Sequence, residues 1–370
     1  MQFVGDLQPK KNTKRGMSLF NKKNQRKNEY KLRGELSKKG FDRWWHSFTA
    51  KNAITGEERT FFLEFYLCNP DVADDASVSG KSASYLSVKV VCLGEEATQI
   101  GTFYSMKEVL INGKAPFSIT TQECFLSETR SFGKISVSKE ECQKHPEVYS
   151  DAGKVEWNLD IDKKIAYNLG YQTSCLGCCQ SKEKNFWHGE GIKTFYSGTI
   201  CVNGEEFIVS PASSYGYADK EWGSEFEESS LWINASHLVS RKIGELNNSA
   251  VFVYIGQAGA FGGIFYEGKE FEFNPYKCAQ NTKTKYQCAE TDDEMQFKVV
   301  QQSKRFMMKV QLRCKKDKML TNMEVCTKND YSLGGNAKGL IRLYKKEKGT
   351  WNLVDVIEIY HAGCAYKNYL

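Results

Sequence analysis

The chain has 370 residues, 41% hydrophobic and 26% charged, with a mean hydropathy of −0.53. That length suits two domains or one large one and can bury a sizeable core, while no apolar run approaches a membrane span. The net charge of +6 does not point to nucleic acid, because residues 1–33 hold ten Lys or Arg against Asp6 and Glu29, leaving the rest close to neutral.

Residues 1–33 read as a basic, flexible arm, able to graze an anionic membrane surface but not to clamp nucleic acid. Ordered protein is expected from Gly40-Phe41-Asp42-Arg43-Trp44-Trp45 onward. A turn at Thr55–Glu58 leads into a strand over Arg59–Leu67, a polar loop over Asn69–Ser84 follows, and Tyr85–Val91 is the next strand. Asn112-Gly113 carries the dipeptide that favours a type I′ hairpin turn. In residues 155–162, Val155, Trp157, Leu159 and Ile161 alternate with polar or acidic residues, the period of a half-buried antiparallel strand.

The polar stretch Gln172–Asn185 contains Cys175, Cys178 and Cys179. A C-x-x-C turn can chelate zinc, but no second ligand pair follows, so no metal is expected. The count of thirteen cysteines is odd, the chain is long, and no apolar signal segment lies near Met1. Reduced thiols in a cytoplasmic protein are the reading that follows.

Beyond this connector, Thr199–Val202, Asn203-Gly204 and Glu205–Ser210 form the clearest hairpin signal. Strands are expected over Val251–Ile255, Gly262–Tyr266, Lys269–Phe273, Gln296–Val300, Phe306–Cys314, Gly339–Tyr344 and Trp351–Tyr360. Leu231–Ile243 is the one stretch that reads as a helix of any length. So many short strands with regular turns predict an all-β protein with few short helices. The division falls into the arm 1–33, a first β half over 34–185 and a second over 186–370.

Chemistry is expected in residues 187–232, where protic side chains crowd among aromatics and glycines. Asp219 and Glu221 share a face of an extended strand. A carboxyl buried beside Trp222 has its pKa raised by desolvation and can donate a proton to an alkene or leaving group. Tyr217 and His188 are the further protic candidates. Trp44, Trp45, Trp187, Trp222 and Trp232, with Gly223, are the candidate pocket, their ring faces able to stabilise a carbocation. A structural corner, with Asp219 capping backbone amides and Trp222 as a plug, is the alternative on spacing alone. No Rossmann, P-loop, G-x-S-x-G or HExxH signature is present.

The order Trp187-His188-Gly189, Tyr196-Ser197-Gly198, Asn203-Gly204, Tyr215-Gly216-Tyr217-Ala218-Asp219-Lys220-Glu221-Trp222-Gly223 and Trp232 resembles the tocopherol cyclase family. More distantly it is similar to AttH-like and carotenoid-hydratase proteins. The resemblance implies two lipocalin-like antiparallel β-barrel or sandwich halves around an apolar cavity. It also implies proton-initiated cyclisation or hydration of an isoprenoid double bond in an apolar, prenylated small molecule, without metal or redox cofactor. A non-catalytic carrier of a hydrophobic ligand, or a glycan-active β-protein using paired carboxylates, are the alternatives.

Overall fold

The protein alternates buried and exposed residues along long antiparallel strands, and two large sheets result, beside a two-stranded one of Ser77–Val78 and Lys81–Ser82. The computed structural model describes residues 16–72, 77–78, 81–82, 84–114, 116–144, 150–168, 185–224, 231–256, 259–275, 277, 281–323 and 330–367. Strand Gly153–Asn168 buries Val155, Trp157, Leu159 and Ile161 and exposes Glu156, Asn158, Asp160 and Asp162, as its period requires. The described helices are short, with Lys139–Lys144 the longest.

The first sheet has 13 strands, all drawn from residues 16–223. Its path runs Thr98–Ser105, Tyr85–Leu93, Glu58–Cys68, Phe41–Asn52, Glu205–Val209, Asn185–Val202, Gly153–Asn168, Arg130–Val137 and on to Leu110–Asn112. Gly216–Gly223 pairs with both Phe41–Asn52 and Asn185–Val202. The sheet curls until Thr98–Ser105 lies against Arg130–Val137, where Asp151 N–H donates to Gln99 O at 2.7 Å. Trp44, Phe48, Phe61, Phe65, Trp157 and Tyr196 are among the buried rings of its interior.

The second sheet has 12 strands, from Leu231–Ala235 to Thr350–Lys367, and its own core around Ile233, Val253, Phe273, Phe297 and Ile357. A third apolar cluster joins the two sheets. Trp45, Phe62, Tyr167, Trp187 and Tyr217 from the first meet Trp232, Phe252, Tyr254 and Phe261 from the second. Asn234 Nδ2 donates to Ile192 O at 3.0 Å, and the Tyr167 hydroxyl donates to Glu272 at 2.9 Å, so hydrogen bonds also cross this seam.

Asn203-Gly204 turns with φ of 52° and 89°, the left-handed pair a type I′ hairpin requires. Glu267-Gly268 and Lys348-Gly349 turn the same way, with φ of 41° and 81° and of 47° and 88°. Asn112-Gly113 behaves differently: Asn112 pairs with Ser118, so the connection is longer than a two-residue turn.

Three expectations need correction. Leu231–Ile243 is not helical but forms strands Leu231–Ala235 and His237–Ser240. Leu231 through Ala235 are all buried, so the stretch is sandwiched between cores and tertiary packing overrides its weak helical pattern. The change of sheet falls between Gly223 and Leu231, not near residue 185, so the strands of residues 185–223 belong to the first sheet. Residues 16–33 are ordered. Gly16–Leu19 pairs with residues 165–168, and Met17 and Leu32 are buried. Met17 and Leu32 supply the apolar anchors that a charge count overlooks. The Cys175–Cys179 stretch lies outside the described residues, and no disulfide joins two of the eight described cysteines.

The strand Gly16–Leu19 straps the sheets together. Met17 N–H donates to Glu270 Oε1 at 2.5 Å. A Cβ on Gly263 would lie 2.7 Å from the Phe271 carbonyl oxygen and 2.6 Å from Met17 Cε, and the backbone contact cannot easily give, so glycine is required beside this strap. Burial, and then the neighbouring Glu272, raise the Glu270 carboxyl from 4.5 to about 7. The folded state therefore keeps a proton that the unfolded chain releases. Stability from this group is full at low pH and declines as pH rises from about 4.5 to about 7, by at most about 3 kcal/mol. Glu270→Gln keeps the acceptor for Met17 and is expected to flatten that decline. Denaturant unfolding at about pH 5 and about pH 8 measures it. An equal decline in the variant and the parent excludes Glu270 as the source.

Candidate functional site

Strand Gly216–Gly223 is buried along nearly its whole length and carries acidic and basic residues on opposite faces. Its central position between Phe41–Asn52 and Asn185–Val202 turns alternate side chains toward one core or the other. Tyr217, Asp219 and Glu221 face the seam between the sheets. Ala218, Lys220 and Trp222 face the interior of the first barrel.

On the seam side, register sets Asp219 beside Trp45 and Glu221 beside Arg43 and Trp187. Asp219 Oδ2 accepts from Tyr217 O–H at 2.7 Å and from Trp187 Nε1–H at 3.0 Å. Asp219 Oδ1 is buried without a hydrogen-bond partner among the described residues. Desolvation raises the Asp219 carboxyl above its ordinary range, with Arg43 opposing. Burial, then the Asp219 charge, hold the Tyr217 hydroxyl well above its usual value, so it stays a donor.

Arg43 is already committed. It bonds Glu64 at 2.6 Å, approaches Glu221 at 3.6 Å, and lies 4.2 Å from the Trp45 ring centroid. It balances Glu64 and Glu221 and leaves Asp219 the carboxyl that burial can protonate. Aromatic rings pack around it. Trp232 meets Tyr217 edge-on at 4.9 Å, and Trp187 lies 5.7 Å from Tyr254 and 5.4 Å from Phe261.

The barrel side is polar. Lys220 and Asp42 form a fully buried ion pair, with the Lys220 ammonium 3.5 Å from the Trp44 ring centroid. Burial pushes Lys220 down to about 8 and the Asp42 carboxyl up. Lys163 bridges Glu128 at 2.7 Å and Glu190 at 2.6 Å, and Asn28 donates to Glu128. Burial raises Glu190 to about 7. His46 and His188 are both buried, and desolvation holds both well below the ordinary imidazole value.

The structure thus divides the residues that sequence reasoning grouped. Tyr217, Asp219, Glu221, Trp45, Trp187 and Trp232 meet at the seam. His188, Trp44 and Trp222 do not join them: adjacent strand residues point to opposite faces, so His188 parts from Trp187 and Trp44 from Trp45. Trp222 is half-buried and stacks on Phe186 at 5.5 Å. Gly223 ends the strand opposite Phe41 and Asn185. Asp219 bonds side chains, so the backbone-capping alternative does not describe it. Arg43, Lys163, Glu190 and Lys220 escaped notice. Lys163 had a signal, since it continues the inward period of Val155 to Ile161 and so had to be buried. No group of three metal-ligating side chains occurs among the described residues, and none of the helices described is long and apolar enough to cross a membrane.

No protein-family model matches the chain, and no curated protein matches it in sequence. Among solved structures it is similar to an AttH-type protein from Nitrosomonas europaea, with 11% identity over 88% of this chain and 93% of that one, at a TM-score of 0.48. It is similar to kievitone hydratase from Nectria haematococca, with 13% identity over 90% and 93% of the two chains, at 0.40. CghA in complex with Sch210972 matches at 7% identity over 89% and 88%, at 0.44. Likenesses this low transfer no residue's role to this chain.

Proposed function

We propose that the seam between the sheets binds an apolar, prenylated small molecule and that Asp219 protonates its double bond, initiating cyclisation or hydration. The observation that carries this is the state of Asp219. One oxygen is fixed by Tyr217 and Trp187, the other is buried and unpartnered among the described residues, and desolvation favours the acid. A carboxylic acid held so among rings is poised to give up a proton.

In the step, the Asp219 O–H bond breaks and a C–H bond forms at one alkene carbon. The other carbon becomes cationic, and the faces of Trp45, Trp187 and Trp232 stabilise it. A hydroxyl of the substrate, or water, adds to it and returns its proton to the Asp219 carboxylate. Glu221 stays paired with Arg43 and balances its charge.

Titrating the protein with a prenylated hydroquinone is expected to quench tryptophan fluorescence saturably. Trp187→Phe removes both a wall and the Nε1 donor and is expected to weaken binding about tenfold. Saturable binding that Trp187→Phe and Tyr254→Ala leave unchanged places the ligand elsewhere and overturns the seam assignment.

A further inference from the structure

We propose that the interior of the first barrel is a second binding site, for a neutral ligand that offers O–H or N–H donors to His46 and His188. It lies on the opposite face of Gly216–Gly223 from Asp219 and does not depend on the reading of that residue.

Hydrogen bonding fixes the tautomers. The Tyr196 hydroxyl donates to Tyr217 O at 2.9 Å, so its oxygen is left to accept from His46 Nδ1 at 2.8 Å. His46 is therefore protonated on Nδ1, and being neutral it carries a bare lone pair on Nε2. His188 hydrogen-bonds the Tyr167 backbone carbonyl, and its Nε2 has no partner among the described residues, so Nδ1 is again the N–H and Nε2 the lone pair. Both imidazoles are almost fully buried, His46 1% and His188 2% exposed.

Of the other buried atoms without a partner among the described residues, two are oxygens of this cluster: Asn28 Oδ1, whose amide nitrogen serves Glu128, and Glu190 Oε1, whose other oxygen serves Lys163. Side chains of this cluster lie close enough to act on one another. Lys163 lowers both imidazoles, and Lys220 and Lys163 both act on Glu190. The register puts His46 beside Ala218 and His188 beside Lys220, on the two strands that flank Gly216–Gly223.

Four unpartnered atoms that all accept hydrogen bonds select a donor. An anion has none to give and would face Asp42, Glu128 and Glu190. A metal ion or ammonium would face Lys163 and Lys220. A neutral hydroxylated or N–H-bearing molecule meets neither objection, and the rings of Trp44 and Tyr196 suit an aromatic one.

Phenol and anisole are nearly isosteric probes that differ in one O–H. With histidine labelled by ¹⁵N at about pH 8, where ordinary imidazoles are neutral, phenol is expected to shift the Nε2 resonances of His46 and His188 saturably. Anisole is expected to leave them in place. The five histidines of the chain are assigned by His46→Phe and His188→Phe, each of which is expected to weaken phenol binding about tenfold. Equal shifts with anisole, or none with phenol, overturn the proposal, and the intact protein gives that answer even where a variant fails to fold. Asp219→Asn is expected to leave the phenol shifts unchanged, which separates this site from the seam.

Discussion

Asp42→Ala is expected to destabilise the protein by about 3–5 kcal/mol, the cost of stranding a buried charge. Asp42 and Lys220 have no side-chain exposure at all. Asp42 also accepts the Lys31 N–H at 2.8 Å, so the substitution strands a backbone donor together with the ammonium. Lys220 keeps the Trp44 face as a partial partner, which recovers about 1–2 kcal/mol at most. Removing both charges in Asp42→Leu with Lys220→Met is expected to cost far less, because desolvation already works against each charge of the pair. A double-mutant cycle in denaturant reads the difference. The exposed pair Lys345–Glu347, about half exposed on each side, is the control, with little or no loss expected because solvent screens it. If Asp42→Ala costs no more than that control, the buried pair is not the anchor of this strand.

Asp219→Asn is expected to lower kcat for a prenylated hydroquinone by about 10²–10⁴-fold, the usual contribution of a positioned general acid. Asparagine keeps an acceptor oxygen for Tyr217 and Trp187, so binding is expected to change little and the loss to fall on kcat. Glu221→Gln disturbs the charge balance around Arg43, and a smaller loss is expected. If both variants turn over substrate as the parent does, Asp219 is not the acid.

Much of the fold was legible because strand alternation is a local property. Residues 155–162 and the Asn203-Gly204 hairpin announced themselves through periodicity and turn chemistry. The Lys348-Gly349 turn lacked an Asn or Asp to flag it, although its glycine supplies the same backbone freedom. Leu231–Ala235 failed because both neighbours that make it a strand, Ala250–Gly256 and Thr350–Lys367, lie outside the local sequence window.

The site was half legible for the same reason. The i and i+2 spacing placed Tyr217, Asp219 and Glu221 on one face without any tertiary information. Which core that face enters depends on the partner strands. The Trp44-Trp45 and Trp187-His188 pairs therefore looked like two joint contributions when each is divided between two sides of the sheet. Arg43 was invisible as a site residue because its value lies in Glu64 and Glu221, both remote in sequence.

Turnover in D₂O tests the seam chemistry most directly. When Asp219 protonates the double bond of a prenylated hydroquinone, the cyclised product is expected to carry one deuterium on the alkene carbon that does not bond oxygen. Asp219→Asn is expected to yield little of it. Product without deuterium at that carbon, or the same deuterated yield from Asp219→Asn, contradicts a proton delivered by Asp219.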